Sequence, residues 1–159
     1  AQKNVLVFDT PEFTQPMELT GEISAKLFVT STAQDTDFIV RVSDVYPDGR
    51  SILIVDYIQR ARYRQGFEKQ VLLEPGKVAE LEFHVGYLSQ IFNEGHKLRV
   101  TIASTGAPLY EPNPQNGRQA TIEFPSDAQR AINTVYYTRP FPSHIKVPLR
   151  EAVYEGESK

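Results

Sequence analysis

The sequence predicts an all-β domain, a sandwich or a barrel, from three observations: many short apolar runs, turn-forming residues between them at regular intervals, and little helical periodicity. Taken in order, the first run is near Val5–Phe8 and stops before Pro11. The second, near Met17–Val29, opens directly after Pro16. In the third, near Phe38–Tyr46, Phe38, Val40 and Val42 alternate with Ile39, Arg41 and Ser43, the period of two that gives a strand one core face and one outer face. Pro47-Asp48-Gly49 then fixes one φ and offers a residue able to take positive φ, so the run near Ile52–Ile58 is expected to return as the second arm of a hairpin. Further strands are expected near Val78–Val85 after Pro75-Gly76, and near Lys97–Ser104 after Glu94-Gly95. Three more follow, near Gln119–Phe124 between Asn116-Gly117 and Pro125, near Asn133–Tyr137 before Pro140, and near Ser143–Val147 after Pro142. Single helical turns are expected at Leu88-Ser89-Gln90-Ile91-Phe92 and at Ser126–Ala131, the latter with Ser126 as N-cap. The apolar pattern fades at Glu151, so residues 1–150 are read as one domain and 151–159 as a frayed tail.

Composition narrows the function classes. A chain of 159 residues with 40% apolar content can bury one sizeable core, and is short for two. The net charge of −3 offers no broad basic field, which argues against nucleic acid or an anionic membrane as partner. Without cysteine, disulfides, thiolate chemistry and cysteine metal sites are excluded. No window approaches the roughly 18 apolar residues of a membrane span. The Ala-Gln start and the single methionine, Met17, lead us to expect a piece of something longer.

Four aspartates, Asp35, Asp37, Asp44 and Asp48, raise the question of a metal site or catalytic carboxylates. A strand rising about 3.3 Å per residue puts Asp35 and Asp37 at its entrance and Asp48 in the turn at the far end, so one strand alone cannot bring them to one ion. Asp48 also suits a turn through side-chain to backbone hydrogen bonds, and the cluster is read as structural. The histidines, His84, His96 and His144, lack the i, i+2 or i, i+4 spacing that commonly brings two imidazoles to a metal, and are read as hydrogen-bonded structural groups; no cofactor is expected. No Gly-x-Ser-x-Gly occurs, and Ser104 in IASTG lacks the preceding glycine and a following helix that a nucleophile elbow needs.

Two stretches point to contacts. In QRARYRQG, Arg60, Arg62 and Arg64 stand at alternate positions and on a strand share one face. The row is either a solvated face balanced by nearby acids or an edge that docks on an acidic surface through fork-shaped hydrogen bonds. In APLYEPNPQNG, Tyr110 and Asn113 sit in a proline-rich loop of the kind that carries partner contacts on β scaffolds.

Read together and in order, DTDFIVRVSDVYPDGR, IQRARYR, FNEGHKLRVTIAST, YEPNPQNG, and NTVYY with PSHIKVPL resemble the C-terminal non-catalytic domain of the X-Pro dipeptidyl peptidase, cocaine esterase and α-amino acid ester hydrolase group of serine hydrolases. The match runs from about Val5 to Leu149, and its specificity lies in the ordered set. The resemblance implies a jelly-roll β-sandwich of the galactose-binding-domain-like type, following an α/β-hydrolase domain and a helical cap. It places the catalytic serine, aspartate and histidine in that upstream domain, so none is carried onto this chain. The loop written here Tyr110-Glu111-Pro112-Asn113-Pro114 more often has Asp-Arg-Asn at its centre in the family; Pro112 stands where the arginine would, and its contact is not carried over. A strand that the family supplies before the equivalent of Val5 is missing, which would leave an exposed edge.

The resulting expectation is a non-catalytic sandwich that packs on the α/β-hydrolase and cap domains of a parent serine hydrolase with esterase or dipeptidyl-peptidase activity and helps wall its substrate cleft, with Arg60, Arg62, Arg64, Tyr110 and Asn113 as the interdomain contacts. Homo-oligomerisation through the parent is allowed by this reading. The alternatives are a free-standing carbohydrate-binding module and an interaction domain that associates through its unpaired edge.

Overall fold

The computed structural model of the protein describes residues 4–118 and 127–152. Within these residues ten strands form two antiparallel sheets. The first has the order β1-β6-β3-β4, built from β1 (Val5–Asp9), β6 (Lys97–Ala103), β3 (Asp37–Val45) and β4 (Ser51–Arg60). The second is organised around β2 (Met17–Ser31), which pairs from Met17 to Val29 with β5 (Ala79–Phe92) along one edge. The opposite edge of β2 takes three short strands end to end: β10 (Leu149–Glu151) at Met17–Leu19, β9 (His144–Lys146) at Ser24–Lys26, and β7 (Asn133–Thr138) at Phe28–Ser31. A two-residue β8 (Phe141–Pro142) folds back on β7.

Period-two alternation explains why these residues form these strands. Leu19, Ile23, Ala25, Leu27 and Val29 of β2 all point inward, as do Leu81, Phe83 and Val85 of β5. They meet Phe38, Val40 and Val42 of β3 and Leu98, Val100 and Ile102 of β6 in one core. Burying each of these side chains larger than alanine stabilises the fold by about 1.5–3 kcal/mol. The chain crosses between sheets after β1, β2, β4, β5 and β6, so the sandwich is wound as a jelly roll rather than stacked from separate hairpins.

The hairpin read from the sequence is present: β3 and β4 pair from Asp37 opposite Arg60 to Val45 opposite Ser51, with a bulge after Val42. Its turn is closed by Tyr46 N donating to Arg50 O and Gly49 N to Tyr46 O, with Gly49 at φ 89°. Asp48 Oδ1 accepts from Arg50 N at 3.0 Å, the turn role its position implies.

Three expectations are corrected. Leu88–Phe92 is not a helical turn but the continuation of β5, because β2 reaches back to Met17 and supplies ladder partners as far as Phe92. The i, i+4 spacing of Leu88 and Phe92 is also an even spacing, so it serves a strand equally well. Of Ser126–Ala131, Asp127 lies in a turn and 128–131 have no regular structure; Ser126 lies outside the described residues, as does the strand expected at Gln119–Phe124. Glu151 is not frayed: it pairs with Met17 in β10, and Ala152 N donates to Pro16 O. The rest of the expected tail, from 153, lies outside the described residues.

One close approach constrains the sequence. β5 crosses β4 at Gly86, where a Cβ would come within 2.6 Å of Val55 Cγ2, so a side chain there displaces Val55 or a strand.

Candidate interdomain surface and its buried charge network

The row Arg60, Arg62, Arg64 does not lie on one strand face. β4 ends at Arg60, and Ala61–Tyr63 form a 3-10 turn that redirects each arginine separately. Arg60 forks onto Asp37, with Nε donating to Oδ1 at 2.9 Å and a second guanidinium nitrogen to Oδ2 at 3.1 Å. Arg62 is 3% exposed and turns inward to Asp35, which is 0% exposed; Nε donates to Asp35 Oδ2 at 2.8 Å and its backbone N–H to Oδ1 at 2.9 Å. Its remaining nitrogens donate to Gln70 Oε1 at 3.2 Å and Arg118 O at 2.6 Å. Arg64 closes the local turn through the carbonyls of Ala61, Val71 and Leu72.

Asn113 joins the two acids. Its amide nitrogen donates to Asp35 Oδ2 and to Asp37 Oδ1, both at 2.9 Å, and its Oδ1 accepts from Gln115 N at 2.8 Å. Two aspartates and two arginines thus neutralise one another, and the amide between the carboxylates relieves their mutual repulsion. Hydrogen bonding to Asp37 holds the Arg60 guanidinium above its ordinary pKa, whereas burial pushes that of Arg64 below it. An acid pair at the entrance of β3 is therefore the floor on which the 104–118 segment rests.

The same segment covers the outer face of the first sheet. Tyr110 donates its hydroxyl to Asp56 Oδ1 at 3.1 Å, and Asp56 Oδ2 accepts from Arg41 Nε at 3.2 Å. Burial first, then the bond to Asp56, raises the Tyr110 phenol above its ordinary pKa. Gly106 lies so close to Ile39 and Tyr110 that a Cβ would come within 2.8 Å of each side chain. This cover is why Ile39, on the outer face of β3, is fully buried.

Of the five predicted contact residues, Arg60, Arg62 and Asn113 meet on the acid pair, Arg64 braces the adjoining turn, and Tyr110 pins the loop at a second point. Sequence position alone puts Asp35 and Asp37 at a strand entrance. The missing signal was in the hairpin register: pairing that sets Val45 opposite Ser51, shifted by one residue at the bulge after Val42, carries Asp37 to Arg60, so Asp-x-Asp at one end answers Arg-x-Arg at the other. The inward turn of Arg62 has no such signal, since Ala61-Arg62-Tyr63 contains no glycine or proline to mark the bend.

The remaining candidate groups each have a hydrogen-bond partner within the fold. His96 Nδ1 lies 2.7 Å from Asp44 Oδ1 in a buried pair, with its ring 4.3 Å from that of Tyr46. His84 meets Glu22 at 3.0 Å on the surface, and His144 meets Pro142 O at 2.8 Å. Ser104 Oγ accepts from Asn133 Nδ2 at 2.9 Å. Among the described residues, no group of three or more histidine, aspartate or glutamate side chains converges as a metal site would require.

Among the described residues, the sandwich is open beside the loop. An apolar groove of about 420 Å3 runs between β1 and β6 on one side and β7 and β9 on the other, lined by Phe8, Val100, Val135, Tyr137, Ile145 and Val147 among others. A second hollow continues it past Leu6 to Gln115, sharing Ile102, Val135 and Tyr137.

Comparison with known proteins agrees with the ordered motifs. The family described as the X-Pro dipeptidyl-peptidase C-terminal non-catalytic domain matches residues 1–146. Cocaine esterase of Rhodococcus sp. (strain MB1 Bresler) is 37% identical over 146 residues, covering 92% of this chain and 25% of the esterase. The crystal structure of an aminopeptidase from a marine sediment archaeon, Thaumarchaeota archaeon, superposes with a TM-score of 0.88 at 28% identity, over 95% of this chain and 26% of that one. An α-amino acid ester hydrolase superposes with a TM-score of 0.85 at 28% identity, over 94% and 26%. The chain thus spans about a quarter of the length of the relatives it matches. Matched along nearly its whole length and in its sheet architecture, the chain belongs to the family of X-Pro dipeptidyl-peptidase C-terminal non-catalytic domains.

Proposed function

We propose that this domain packs on the α/β-hydrolase and cap domains of a serine hydrolase for ester or peptide bonds, and that it walls part of the substrate cleft. The observation that carries this reading is the coverage: relatives named as esterases, ester hydrolases and an aminopeptidase devote only about a quarter of their length to this sandwich. A wall of this kind excludes water from the reacting centre and limits the substrate that fits. Within the reading, Arg60, Arg64 and Tyr110 border the contact, while Arg62 and Asn113 act from beneath by holding residues 104–118 on the acid pair. The jelly-roll winding agrees with the galactose-binding-domain-like type, which enters the reading as an affinity of fold alone.

The test is hydrolysis of p-nitrophenyl acetate and of a bulkier p-nitrophenyl ester by the full-length protein of the same reading frame, by that protein without this domain, and by the 159-residue chain. The chain alone is expected to match the buffer rate. The full-length protein is expected to turn over saturably, with a preference between the two esters that narrows when the domain is removed. Saturable turnover by the chain alone overturns the non-catalytic role, and an unchanged preference overturns the cleft wall.

A further inference from the structure

We propose that Asn116-Gly117 is a site of spontaneous main-chain modification: Asn116 loses its side-chain nitrogen as ammonia through a succinimide, reopens as isoaspartate or aspartate, and in the isoaspartate form unfastens the end of the 104–118 segment from Arg62.

The sequence singles out this asparagine. Ring closure requires the backbone nitrogen of the next residue to reach the asparagine side-chain carbon, so an N–H and little bulk at that next residue decide which asparagine reacts. Of the five asparagines, Asn4, Asn93 and Asn133 precede Val5, Glu94 and Thr134, whose side chains crowd the approach, and Asn113 precedes Pro114, which has no N–H. Gly117 offers Asn116 an N–H without a side chain beside it.

The fold requires that glycine and prepares its neighbour. Gly117 stands at φ 78°, and a Cβ there would come within 2.9 Å of Gln34 Oε1, so a bulkier residue that slowed the reaction would strain the loop. Arg118 N donates to Asn116 Oδ1 at 2.9 Å. As Gly117 N attacks Asn116 Cγ, negative charge builds on that same oxygen, and a donor already aimed at it stabilises the tetrahedral intermediate. Asn116 is half-buried, so the water consumed in the later step has access to it.

Water is the one co-reactant. Gly117 N gives its proton to a solvent base as its bond to Cγ forms; the bond from Cγ to Nδ2 then breaks, and the departing nitrogen takes a proton and leaves as ammonia. Water adds to one of the two imide carbonyls. Opening at the former side-chain carbonyl leaves aspartate. Opening at the main-chain carbonyl leaves isoaspartate, whose main chain runs through Cβ and Cγ and is one carbon longer.

The consequence lies two residues on. Arg118 O accepts from Arg62 Nη2 at 2.6 Å, and Arg62 is the buried partner of Asp35. An added main-chain carbon at residue 116 displaces that carbonyl, which takes one bond from the buried guanidinium and loosens the far end of the loop that Asn113 holds on the acid pair. None of this depends on the docking reading.

Ageing the 159-residue chain in mildly alkaline buffer made with heavy-oxygen water, followed by peptide mapping with fragmentation, tests the inference. The peptide holding residue 116 is expected to lose ammonia, take up labelled oxygen and yield isoaspartate as well as aspartate, while the other four asparagines stay unchanged. Conversion is expected to be no slower in the folded chain than in guanidinium chloride. The isoaspartate fraction is expected to melt about 3–12 °C below the fresh chain, as the loss of one bond to a buried charge implies. Asn116→Ser keeps an oxygen that can accept from Arg118 N and has no amide to lose, so it is expected to hold both its mass and its melting temperature through the same ageing. Should that variant fail to fold, the labelled parent chain still decides the chemistry. If no isoaspartate forms at residue 116, if another asparagine converts first, or if folding suppresses the reaction, the site is overturned. Isoaspartate at 116 with an unchanged melting temperature overturns the release of Arg62.

Discussion

Replacing Arg62 with methionine removes the charge from the most deeply buried ion pair and keeps an apolar stem of similar length. Asp35 then loses the Nε bond at 2.8 Å and, among the described residues, retains the backbone N–H of residue 62 and the Asn113 amide, both at 2.9 Å. Breaking a buried pair from one side typically costs about 3–5 kcal/mol, because the partner charge stays buried without compensation. Both side chains are almost wholly out of solvent, at 4% and 0% exposed, so this range applies here rather than that of surface pairs. At about 2–4 °C per kcal/mol for a domain of this size, the midpoint of thermal unfolding should fall by roughly 6–20 °C, followed by circular dichroism. Asp35→Ala should be destabilising in the same range. The double variant Asp35→Ala/Arg62→Met should lose less than the sum of the two by about 0.5–3 kcal/mol, since residues in direct contact couple. Arg150→Ala, which breaks a pair whose arginine is 72% exposed, serves as a control with an unchanged midpoint. A loss below about 1 kcal/mol for Arg62→Met, or strict additivity in the cycle, would refute the view that this pair anchors the 3-10 turn.

Three other outcomes follow from the same structure. Asn113→Ala removes two donors from the acid pair and the acceptor for Gln115 N, and should cost about 2–3 kcal/mol while making residues 104–118 the first site of limited proteolysis; equal protease resistance in variant and parent would contradict the clamp. Gly86→Ala should cost about 1–3 kcal/mol by overpacking, with Val55→Ala in the same chain recovering part of it, as measured by urea unfolding. Tyr110, whose phenol pKa is raised in the folded state, contributes stability that is fully present below the unfolded value of about 10 and is lost as pH rises through the folded value. Tyr110→Phe should therefore be less stable at neutral pH and lose less stability in alkali than the parent protein, by thermal unfolding at stepped pH.

Much of the architecture is visible in local pattern because strand burial repeats every second residue. Leu19 through Val29, Phe38 through Val42 and Leu98 through Ile102 each write their inner face plainly, and Asp48-Gly49 marks its turn. What local pattern hides is pairing over distance. Leu88–Phe92 looks equally helical or extended until Met17–Gly21 is known to lie beside it. The short strands β8 and β10 are too brief for periodicity to register, and exist because β7 and β2 offer them edges. The candidate site divides the same way. Tyr110 and Asn113 stood out as side chains of a rigid loop, but that Asn113 reaches Asp35 and Asp37 depends on the 104–118 segment folding across β3, which no spacing in the loop itself encodes.

Since β10, β9 and β7 dock separately along a single edge of β2, the C-terminal part of the domain is fastened like three clips on one rail. Their partners on β2 are more than a hundred residues away in sequence, so each clip closes only after a long search, a geometry associated with slow folding. Shortening the chain before Leu149 would release one clip, bare Met17–Leu19 along that edge and leave the other two fastened, so damage there would stay local rather than dissolve the whole domain.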